Sequence, residues 1–422
     1  MPTHPTASIL AIGDELILGQ SLDTNTQTIA NALTNAGVII HEHATVPDDL
    51  TQLTDAIIRL TKTADLLITT GGLGPTKDDL TRQALAKALN QPLIEDPKAL
   101  KQIRTWFTSR NRDMPKANRV QALRPNDAHM LTNDHGTAPG LAARLHNCNI
   151  FALPGPPAEM QPMFNREILP TLQNPDAPPV TTRILYTAGL GESYIAGKLA
   201  ELMHRDHPVL IGTTASLGLV AIRIRTTLDK DAAQNQIDQA EVKIRKCLAP
   251  AVFSDKHTLP AYLIDRLTER NETLGTCESC TAGLVAKLIT DPPGSSAAFN
   301  GSLITYTNEL KQKLAAVPAN IIQNHGAVSP QCAQAMAEGA RLQLETTHAL
   351  AITGIAGPTG DTPTKPVGTV YIARASNNAP TDTRHFLFKG SRDIIRHWAA
   401  TTALTLLRLH LDKVTMPLPC QQ

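Results

Sequence analysis

Short apolar stretches alternate with helically spaced stretches over the first ninety residues, and this alternation constrains the fold more than any other feature. Residues 65–70 form a short apolar run that leads directly into Gly71 and Gly72, whereas residues 50–60 place apolar side chains on one helical face. Strands separated by helices predict an α/β, doubly wound domain with a parallel sheet covered on both faces. Ligands in such sheets bind at the C-terminal ends of the strands.

The rest of the chain is predicted to form two further domains. Residues 182–254 show the order β-α-β-β-α-β of a small α+β domain, and residues 174–179 (NPDAPP) form a plausible linker. From about residue 258 strands and helices alternate again, ending in an amphipathic helix over 392–411. We therefore assign domains to residues 1–173, 180–255 and 258–415, the last one also α/β.

The patterns predict the following elements. In the first domain they are strands 8–12, 38–41 and 65–70, with helices 24–35, 50–60 and 78–89. In the last domain they are strands 273–276, 303–306, 349–353 and 368–373, with helices 262–270, 282–289, 330–342 and 392–411.

The overall charge disfavours a protein that binds nucleic acid electrostatically. The formal net charge is +1, charged residues make up 18% of the chain, and there is no run rich in lysine and arginine. A locally basic pocket for a small phosphorylated ligand stays open. We expect no signal peptide, because no basic region followed by a long apolar stretch opens the sequence, and no apolar run approaches the roughly 18 residues of a membrane span. Its six cysteines are too scattered for a disulfide scaffold, so we expect a cytoplasmic protein.

A candidate nucleophile, Ser279, lies between a predicted strand and a predicted helix in the last domain. Backbone N–H groups at a helix start can stabilise an oxyanion, and a serine needs a base to become a good nucleophile. No histidine is obviously placed for this role. The available base is Lys311, in the next strand and turn, with Tyr306 just before it. Burial would lower the lysine pKa, and a Ser–Lys pair is an accepted form of the triad.

Other interpretations of these residues stay open at the level of the sequence. Ser279 could be only a helix N-cap, which serine favours. Cys277 and Cys280 could form a redox or metal pair, although no second pair completes a zinc site. His325 and His348 fit structural or surface positions better than catalytic ones. The serine is therefore a candidate and not yet an assignment.

Glycine-rich and acidic loops follow the strands of the first domain. Glycines allow a backbone to approach a phosphate, Thr76 supplies a hydroxyl, and carboxylates could hold a divalent cation. Turn glycines and aspartate caps without a ligand are the simpler alternative. The candidate residues are Asp14, Asp23, Asn25, Asp48, Gly71, Gly72, Gly74, Thr76, Asp78 and Asp79.

The last domain resembles a known enzyme domain over about residues 258–411. Its motifs are CESCTAGLVAKLITDPPGSSAAFNGSLITYTNELK, HGAVS (325–329), AMAEGA (335–340), AITGIAGPTGDTPTKPVGTVYIA (351–373) and SRDIIR (391–396). They are similar to the nicotinamide-mononucleotide deamidase domain of the competence/damage-inducible protein CinA family. The resemblance implies hydrolysis of the carboxamide of nicotinamide mononucleotide to nicotinate mononucleotide and ammonia, without a cofactor.

The same resemblance implies roles for individual residues of the last domain. Ser279 matches the nucleophile, Lys311 its base and Tyr306 an assisting hydroxyl. Thr353, Gly354 and Arg392 match substrate-binding positions, and Arg392 could pair with the nucleotide phosphate. The chain departs from the family at Ala282, where glycine is usual. It also departs at Cys277, where the family commonly has alanine, which weakens the metal or redox interpretation.

The first domain resembles the N-terminal domain of the same family over about residues 6–170. The matching segments are GDELILGQSLDTN, GGLGPTKDDLT, GTAPG (136–140) and LPGPPAEM (153–160). That domain is related to molybdopterin-binding proteins, and the resemblance implies an ADP-ribose pyrophosphatase that uses a divalent metal, cobalt or magnesium, with potassium as a further candidate. It favours Asp79 over Asp78 as the metal ligand. It also implies nucleotide substrates and a homodimer.

Three functional hypotheses therefore remain at the level of the sequence. The leading one is a two-activity enzyme that recycles pyridine nucleotides. A second keeps the deamidase but makes the first domain a non-catalytic module that binds a pterin or a nucleotide. A third makes the chain a scaffold in DNA uptake or repair, which its neutral charge disfavours.

Overall fold

The computed structural model describes residues 5–172, 181–204, 206–216, 218–226, 228 and 230–422. The chain folds into two compact units, one of residues 1–181 with 227–230 and one of residues 182–226 with 231–422. The linker predicted at residues 174–179 lies outside the described residues.

The first unit contains a six-stranded sheet in the order β2-β1-β3-β8-β7-β6. Its strands, with the two-stranded pair β4-β5, are β1 Thr6–Ile12, β2 Ile39–Val46, β3 Leu66–Thr70, β4 Leu93–Glu95, β5 Leu123–Pro125, β6 His129–Leu131, β7 Gly140–Leu145 and β8 Cys148–Leu153. Its helices are α1 Asp14–Ile17, α2 Thr24–Asn35, α3 Leu50–Leu60, α4 Thr81–Leu89, α5 Pro97–Thr108 and α6 Pro157–Met163, with further helical turns of other types at Lys116–Ala122, Phe164–Ile168 and Leu169–Leu172.

Helices cover both faces of this sheet, which confirms the doubly wound fold. Leu10 of β1 belongs to a core that includes side chains of α3 and α4, whereas the adjacent Ile9 belongs to the core of α2 and α6. The sheet is mixed and not purely parallel. Strands β2, β1, β3 and β8 are parallel, but β7 and β6 are antiparallel. Only two residues connect β7 to β8, and so short a loop can join only antiparallel strands.

The second unit begins with the predicted small α+β domain. It consists of β9 Thr181–Ala188, α7 Glu192–Leu199, β10 Leu210–Ser216, β11 Leu219–Thr226, α8 Lys230–Leu248 and β12 Val252–Ser254. The sheet order is β10-β11-β9-β12. Apolar side chains of α7 and α8, such as Ile195 and Ile237, share one core with the strands.

The rest of the second unit is a five-stranded α/β domain with the sheet order β14-β13-β15-β16-β17. Its strands are β13 Leu274–Glu278, β14 Phe299–Ile304, β15 His348–Gly354, β16 Thr369–Ser376 and β17 Ala379–Leu387. Its helices are α9 Leu259–Glu269, α10 Leu284–Thr290, α11 Asn308–Ala315, α12 Ala319–His325, α13 Pro330–Gln343 and α14 Arg392–Leu411. Strands β14, β13 and β15 are parallel, and β16 and β17 are antiparallel.

Helices again cover both faces of this sheet. Helices α9, α10 and α14 contribute to one core, and α11 and α13 contribute to an alanine-rich core that includes Cys277 of β13 and Ala351 of β15. Because β13 and β14 are parallel, their C-terminal ends lie at the same end of the sheet. The chain segments that follow the two strands meet there.

Candidate active sites

Ser279 is the first residue after the central parallel strand of the last domain. Its backbone N–H donates a hydrogen bond of 3.0 Å to the carbonyl of Ile352 in β15, and the N–H of Thr305, which follows β14, donates to the carbonyl of Glu278 at 2.8 Å. These bonds continue the ladder past the strand ends. They fix the backbone of Ser279 at the C-terminal ends of the strands, where the residue is 8% exposed.

Lys311 reaches Ser279 from helix α11. Its Nζ lies 2.9 Å from Ser279 Oγ and donates to the backbone carbonyls of Thr305 at 2.8 Å and Tyr306 at 3.4 Å. The residue is 2% exposed. Two carbonyls accept two N–H groups, so a neutral amine would keep its lone pair for the Ser279 hydroxyl.

The structure contradicts two local expectations about this pair. Lys311 does not lie in a strand and turn but in a helix, whose N-cap is the side chain of Thr307. Ser279 is not a helix N-cap, because α10 begins five residues later and its N-cap position is Gly283. The helix starts late because Ala282 and Gly283 have positive φ values of 50° and 94°, outside the helical region.

Burial changes the protonation of the groups around the nucleophile. It lowers the pKa of Lys311 from its ordinary value, which favours the neutral amine. It raises the pKa of the Cys277 and Cys280 thiols to about 12, so both stay protonated at neutral pH. A thiol must lose its proton to bind metal or act as a nucleophile. The serine and the lysine are therefore the stronger candidates for chemistry at this site.

A cavity of about 250 Å³ opens beside Ser279. Predicted site residues that line it include Tyr306, Lys311, Thr353, Gly354 and Arg392. The Thr353 hydroxyl donates to the Ala327 carbonyl at 2.7 Å. This bond joins two segments that both line the cavity. The structure thus brings together all six residues predicted for this site.

The Tyr306 hydroxyl has a different partner from the one expected of a residue that assists the nucleophile. Arg392 donates to this hydroxyl at 2.9 Å and to the Gly357 carbonyl at 2.7 Å. Within the described part of the chain, no hydrogen bond joins the hydroxyl to Ser279 or Lys311. Tyr306 is 54% exposed, so the Tyr306–Arg392 pair lies towards solvent, where it can contact a substrate.

Sequence reasoning missed two charged residues that contact the turn after Ser279. Glu278 accepts hydrogen bonds from the backbone of residues that follow the turn, and Arg396 donates to carbonyls within it. Both occur in the motifs CESCT and SRDIIR. Their charge was the available signal, since a charged residue next to a buried nucleophile needs partners.

The glycine turn of the first domain has the backbone that only glycine adopts easily. Gly71 and Gly72 have φ values of 110° and 64°. A Cβ on Gly71 would clash with the Ile12 carbonyl, and one on Gly72 would clash with the Thr81 hydroxyl. The same hydroxyl donates to the Gly71 carbonyl at 2.8 Å. The turn therefore packs closely against the end of β1 and the start of α4.

Two neighbouring cavities adjoin this turn, of about 410 and 380 Å³. The larger is lined by Asp48, Asp78, Asp79, Thr76 and the three predicted glycines, and the smaller by Asp23 and Asn25. Gly71 lines both. Asp14 lines neither, but its N–H donates to Asp48 Oδ2 at 3.0 Å.

The structure gives Asp79 a different environment from the one expected of a metal ligand. Its carboxylate accepts hydrogen bonds from the N–H of Gly74 at 2.7 Å, the N–H of Thr76 at 2.8 Å and the Thr76 hydroxyl. Helix α4 begins at Thr81 and not near residue 78, because the side chain of Asp79 closes a local turn instead. Both of its oxygens are already engaged by the loop.

A buried arginine holds this loop through its backbone carbonyls. The sequence did not reveal it as a site residue. Arg82 is fully buried and donates to the carbonyls of Leu73 and Gly74. Burial lowers its pKa to about 10, against the opposing effect of the Asp79 charge, so it stays cationic at neutral pH. The loop is thus held by a cation at its carbonyls and by Asp79 at its N–H groups.

Two other predicted residues have structural partners in addition to lining the smaller cavity. Asp23 is the N-cap of α2 and accepts from the Thr26 N–H at 2.9 Å. Asn25 donates to the Thr70 hydroxyl at 2.9 Å and the Gly155 carbonyl at 2.7 Å, and its Oδ1 is buried without a partner. Asp23 is therefore a helix cap, as the simpler alternative predicted. Asn25 Oδ1 is an acceptor without a hydrogen-bond partner.

The acidic residues fit a divalent cation only in part. Among the described residues, no three histidine, cysteine or acidic side chains are grouped so as to hold a metal ion. Burial raises the pKa of Asp48, as do the neighbouring charges of Asp14, Glu15 and Asp78, and a cation would relieve this crowding. Magnesium commonly binds through one or two carboxylates together with substrate phosphates and water. Asp48 and Asp78 fit that pattern, whereas Asp79 does not.

Comparison with known proteins identifies relatives that match nearly the whole chain. Three family models match consecutive parts of it: a probable molybdopterin binding domain over residues 8–174, a damage-inducible protein CinA KH domain over 182–254, and the CinA C-terminal domain over 256–411. A putative competence-damage inducible protein of Caldicellulosiruptor bescii is 39% identical over 404 residues, covering 95% of this chain and 98% of the relative. The chain belongs to the CinA family.

A second relative matches nearly the whole chain, and a solved structure matches part of it. The putative competence-damage inducible protein of Symbiobacterium thermophilum is 40% identical over 419 residues, covering 96% of this chain and 98% of the relative. A crystal structure of the competence/damage inducible protein CihA from Agrobacterium tumefaciens shares 36% identity, with a TM-score of 0.36, and covers 36% of this chain and 93% of its own. No helix in the described part of this CinA-family protein is long and apolar enough to cross a membrane.

Proposed function

We propose that the last domain of this CinA-family protein hydrolyses the carboxamide of nicotinamide mononucleotide, with Ser279 as nucleophile and Lys311 as its base. The observation that carries the proposal is the 2.9 Å contact between Lys311 Nζ and Ser279 Oγ in the protein interior. An amide is a poor electrophile, so its hydrolysis needs an activated nucleophile and stabilisation of the oxyanion. Lys311 is the candidate for activating the nucleophile, and backbone N–H groups of the turn after Ser279 are the candidates for stabilising the oxyanion.

The proposed reaction follows from these groups. Ser279 Oγ attacks the carboxamide carbon while Lys311 takes the hydroxyl proton. The C–N bond then breaks, and ammonia leaves with a proton from the Lys311 ammonium. Water, deprotonated by Lys311, then attacks the resulting acyl ester. The bond from the acyl carbon to Ser279 Oγ breaks, Oγ takes the proton back from the Lys311 ammonium, and nicotinate mononucleotide is released.

The cavity supports a small anionic substrate. Its volume of about 250 Å³ lies just below the roughly 300–1,000 Å³ of typical ligand sites, so it favours a small ligand. Arg392 lines the cavity, and a guanidinium suits the phosphate of a mononucleotide. The resemblance of the motifs to the deamidase domain supports the same substrate.

The test of this proposal is to incubate the full-length protein with nicotinamide mononucleotide in the presence of a metal chelator. We expect equal amounts of ammonia and nicotinate mononucleotide. Nicotinamide adenine dinucleotide is the matched control, because its second nucleotide exceeds the cavity. Failure to release ammonia from the mononucleotide would contradict the proposal.

A second activity is proposed for the first domain, namely hydrolysis of ADP-ribose to AMP and ribose 5-phosphate. Two cavities of comparable size meet at Gly71, an arrangement that suits a ligand with two halves joined by a pyrophosphate. A divalent cation at Asp48 and Asp78 would neutralise charge on the phosphates. Asn25 lines the smaller of these cavities and would contact one half of the ligand.

Product analysis with ADP-ribose, with and without magnesium or cobalt, separates the alternatives. Formation of AMP only with metal supports the pyrophosphatase. Binding of ADP-ribose or of a pterin without cleavage would favour a non-catalytic module. Binding of DNA with neither nucleotide activity would favour the scaffold hypothesis.

A further inference from the structure

Glu278 holds the far end of the turn that follows Ser279. This carboxylate is fully buried. Its Oε2 accepts from the N–H groups of Gly283 at 2.9 Å and Val285 at 3.1 Å, and its Oε1 accepts from the N–H of Ala286 at 2.9 Å. Both oxygens are thereby engaged by the backbone, so the carboxylate is unavailable as a second base for the nucleophile.

Arg396 holds the same turn through its carbonyls. From helix α14 its Nε donates to the Cys280 carbonyl at 3.1 Å, and its Nη2 donates to the Thr281 carbonyl at 2.8 Å. The guanidinium is planar and rigid, so a two-point contact fixes both carbonyl directions at once.

The direction of these carbonyls determines the direction of the N–H groups. In a planar trans peptide the C=O and the following N–H point in opposite directions, so the Thr281 N–H points away from Arg396. The Thr281 carbonyl likewise sets the direction of the Ala282 N–H, which closes the turn on the Ser279 carbonyl at 3.2 Å. That carbonyl belongs to the same planar peptide as the Cys280 N–H and so fixes its direction. Within the described residues, the N–H of Cys280 donates to no backbone carbonyl. Cys280 also lines the cavity beside Ser279.

We propose that Glu278 and Arg396 are positioning residues that together hold the turn so that the N–H of Cys280 faces the oxyanion formed on the substrate. We call this pair the turn clamp. The inference rests on the proposed role of Ser279, because an N–H of the residue after a nucleophile commonly forms an oxyanion site. It goes further by assigning the orientation of that site to two residues that never touch the substrate.

The clamp is tested first by steady-state kinetics of Arg396→Lys with nicotinamide mononucleotide. A lysine keeps the charge but cannot hold two carbonyls with a planar fork. Loss of one oxyanion donor lowers kcat by roughly 10²–10³-fold, and we expect a fall towards the lower figure with KM changed by less than about threefold. Arg384→Lys is the matched control, since Arg384 pairs with Asp382 on β17 and contacts none of the turn. An Arg396→Lys enzyme with normal kcat would overturn the clamp.

A second measurement separates failure of the clamp from failure of the proposed substrate. A small alkyl fluorophosphonate forms a bond from phosphorus to Ser279 Oγ, while the hydroxyl proton passes to Lys311 and fluoride leaves. The phosphoryl oxygen gains charge in this step, so its rate also depends on the oxyanion site. We expect labelling, followed by intact mass, to be at least about tenfold slower in Arg396→Lys than in the wild type.

Labelling that is equal in the two proteins, or absent from both, would overturn the clamp whether or not nicotinamide mononucleotide is a substrate. Slower labelling would support it even if no ammonia were released. Glu278→Gln is measured in parallel, because its amide keeps one acceptor and so replaces only part of the carboxylate contacts. It provides an independent variant should Arg396→Lys fail to fold, and normal labelling in it would equally overturn the clamp.

Discussion

Lys311 Nζ and Ser279 Oγ lie 2.9 Å apart although the two residues are separated by 32 positions in the chain. Strand β14 runs parallel to β13 and ends at the same edge of the sheet. Helix α11 begins just beyond that edge and carries Lys311 back towards Ser279. The contact is therefore a direct consequence of the parallel pairing of the two strands.

The pH dependence of amide hydrolysis is expected to follow Lys311. Burial lowers its pKa from the ordinary value, and the neutral amine is the active form. The kcat/KM should therefore rise with pH through this lowered pKa and level off above it. Lys311→Arg keeps the charge but cannot lose its proton, so it should be nearly as inactive as Lys311→Ala. Substantial activity in the arginine variant would point to a purely electrostatic role.

The same pKa shift predicts a change in stability that needs no substrate. Because the pKa of Lys311 is lower in the folded than in the unfolded state, the unfolded chain binds more protons between the two values. The free energy of unfolding should gain a rising contribution with pH over that window, and the contribution should stop growing above the unfolded value. Urea titrations of wild type and Lys311→Met across this range measure it. An identical pH dependence in the two proteins would show that Lys311 titrates normally.

The departure from the family at Ala282 is expected to reduce stability rather than activity. Ala282 has a φ of 50°, a conformation that costs a residue with a Cβ about 1–2 kcal/mol. Ala282→Gly should relieve this strain, so its melting temperature should not fall and its deamidation should stay within about threefold of wild type. Ala335→Gly, within helix α13, is the matched control and should lose about 1 kcal/mol. A marked loss of stability in Ala282→Gly would contradict the strain argument.

Asp79 is expected to stabilise the first domain through its loop. Asp79→Asn replaces one acceptor by an N–H₂ group and leaves loop donors unpaired, at a cost of about 1–3 kcal/mol in unfolding free energy. Asp78→Asn, at an exposed position, should stay within about 0.5 kcal/mol of wild type. Trp106 fluorescence in a Trp398→Phe background reports on this domain, since the chain has two tryptophans. Equal stability of the two variants would rule out the loop role.

Metal titration separates loop support from metal binding. Asp79→Asn should abolish cleavage of ADP-ribose by loosening the loop and leave deamidation unchanged. Asp48→Asn should weaken magnesium or cobalt binding, measured calorimetrically with ADP-ribose present. If Asp79→Asn weakened metal binding more than Asp48→Asn did, Asp79 would be a ligand after all.

The sequence predicted the bounds of those elements whose apolar residues are regularly spaced. Helices Thr24–Asn35, Leu50–Leu60 and Arg392–Leu411 have the predicted bounds, because each presents apolar side chains to the core at helical intervals. Strand Ala379–Leu387 was not predicted. It lies at the edge of its sheet and is mostly polar, so no pattern marks it.

The candidate sites were predicted as sets of residues but not as sets of contacts. Lys311 was identified by its chemistry, yet its helix was missed because a buried lysine looks like a surface residue in a polarity pattern. Asp79 and Arg82 both belong to a polar loop whose hydrogen bonds depend on the folded backbone. The spacing of residues in the sequence does not predict which N–H groups will donate hydrogen bonds to a given carboxylate.

The measurement that tests the central claim most directly is ammonia release from nicotinamide mononucleotide by wild type and Ser279→Ala. We expect the substitution to lower kcat/KM by on the order of 10³-fold or more, as removal of a nucleophile does. The melting temperature should stay near that of wild type, because the Ser279 side chain caps no helix. Near-normal ammonia release by a folded Ser279→Ala enzyme would contradict the assignment of Ser279 as the nucleophile.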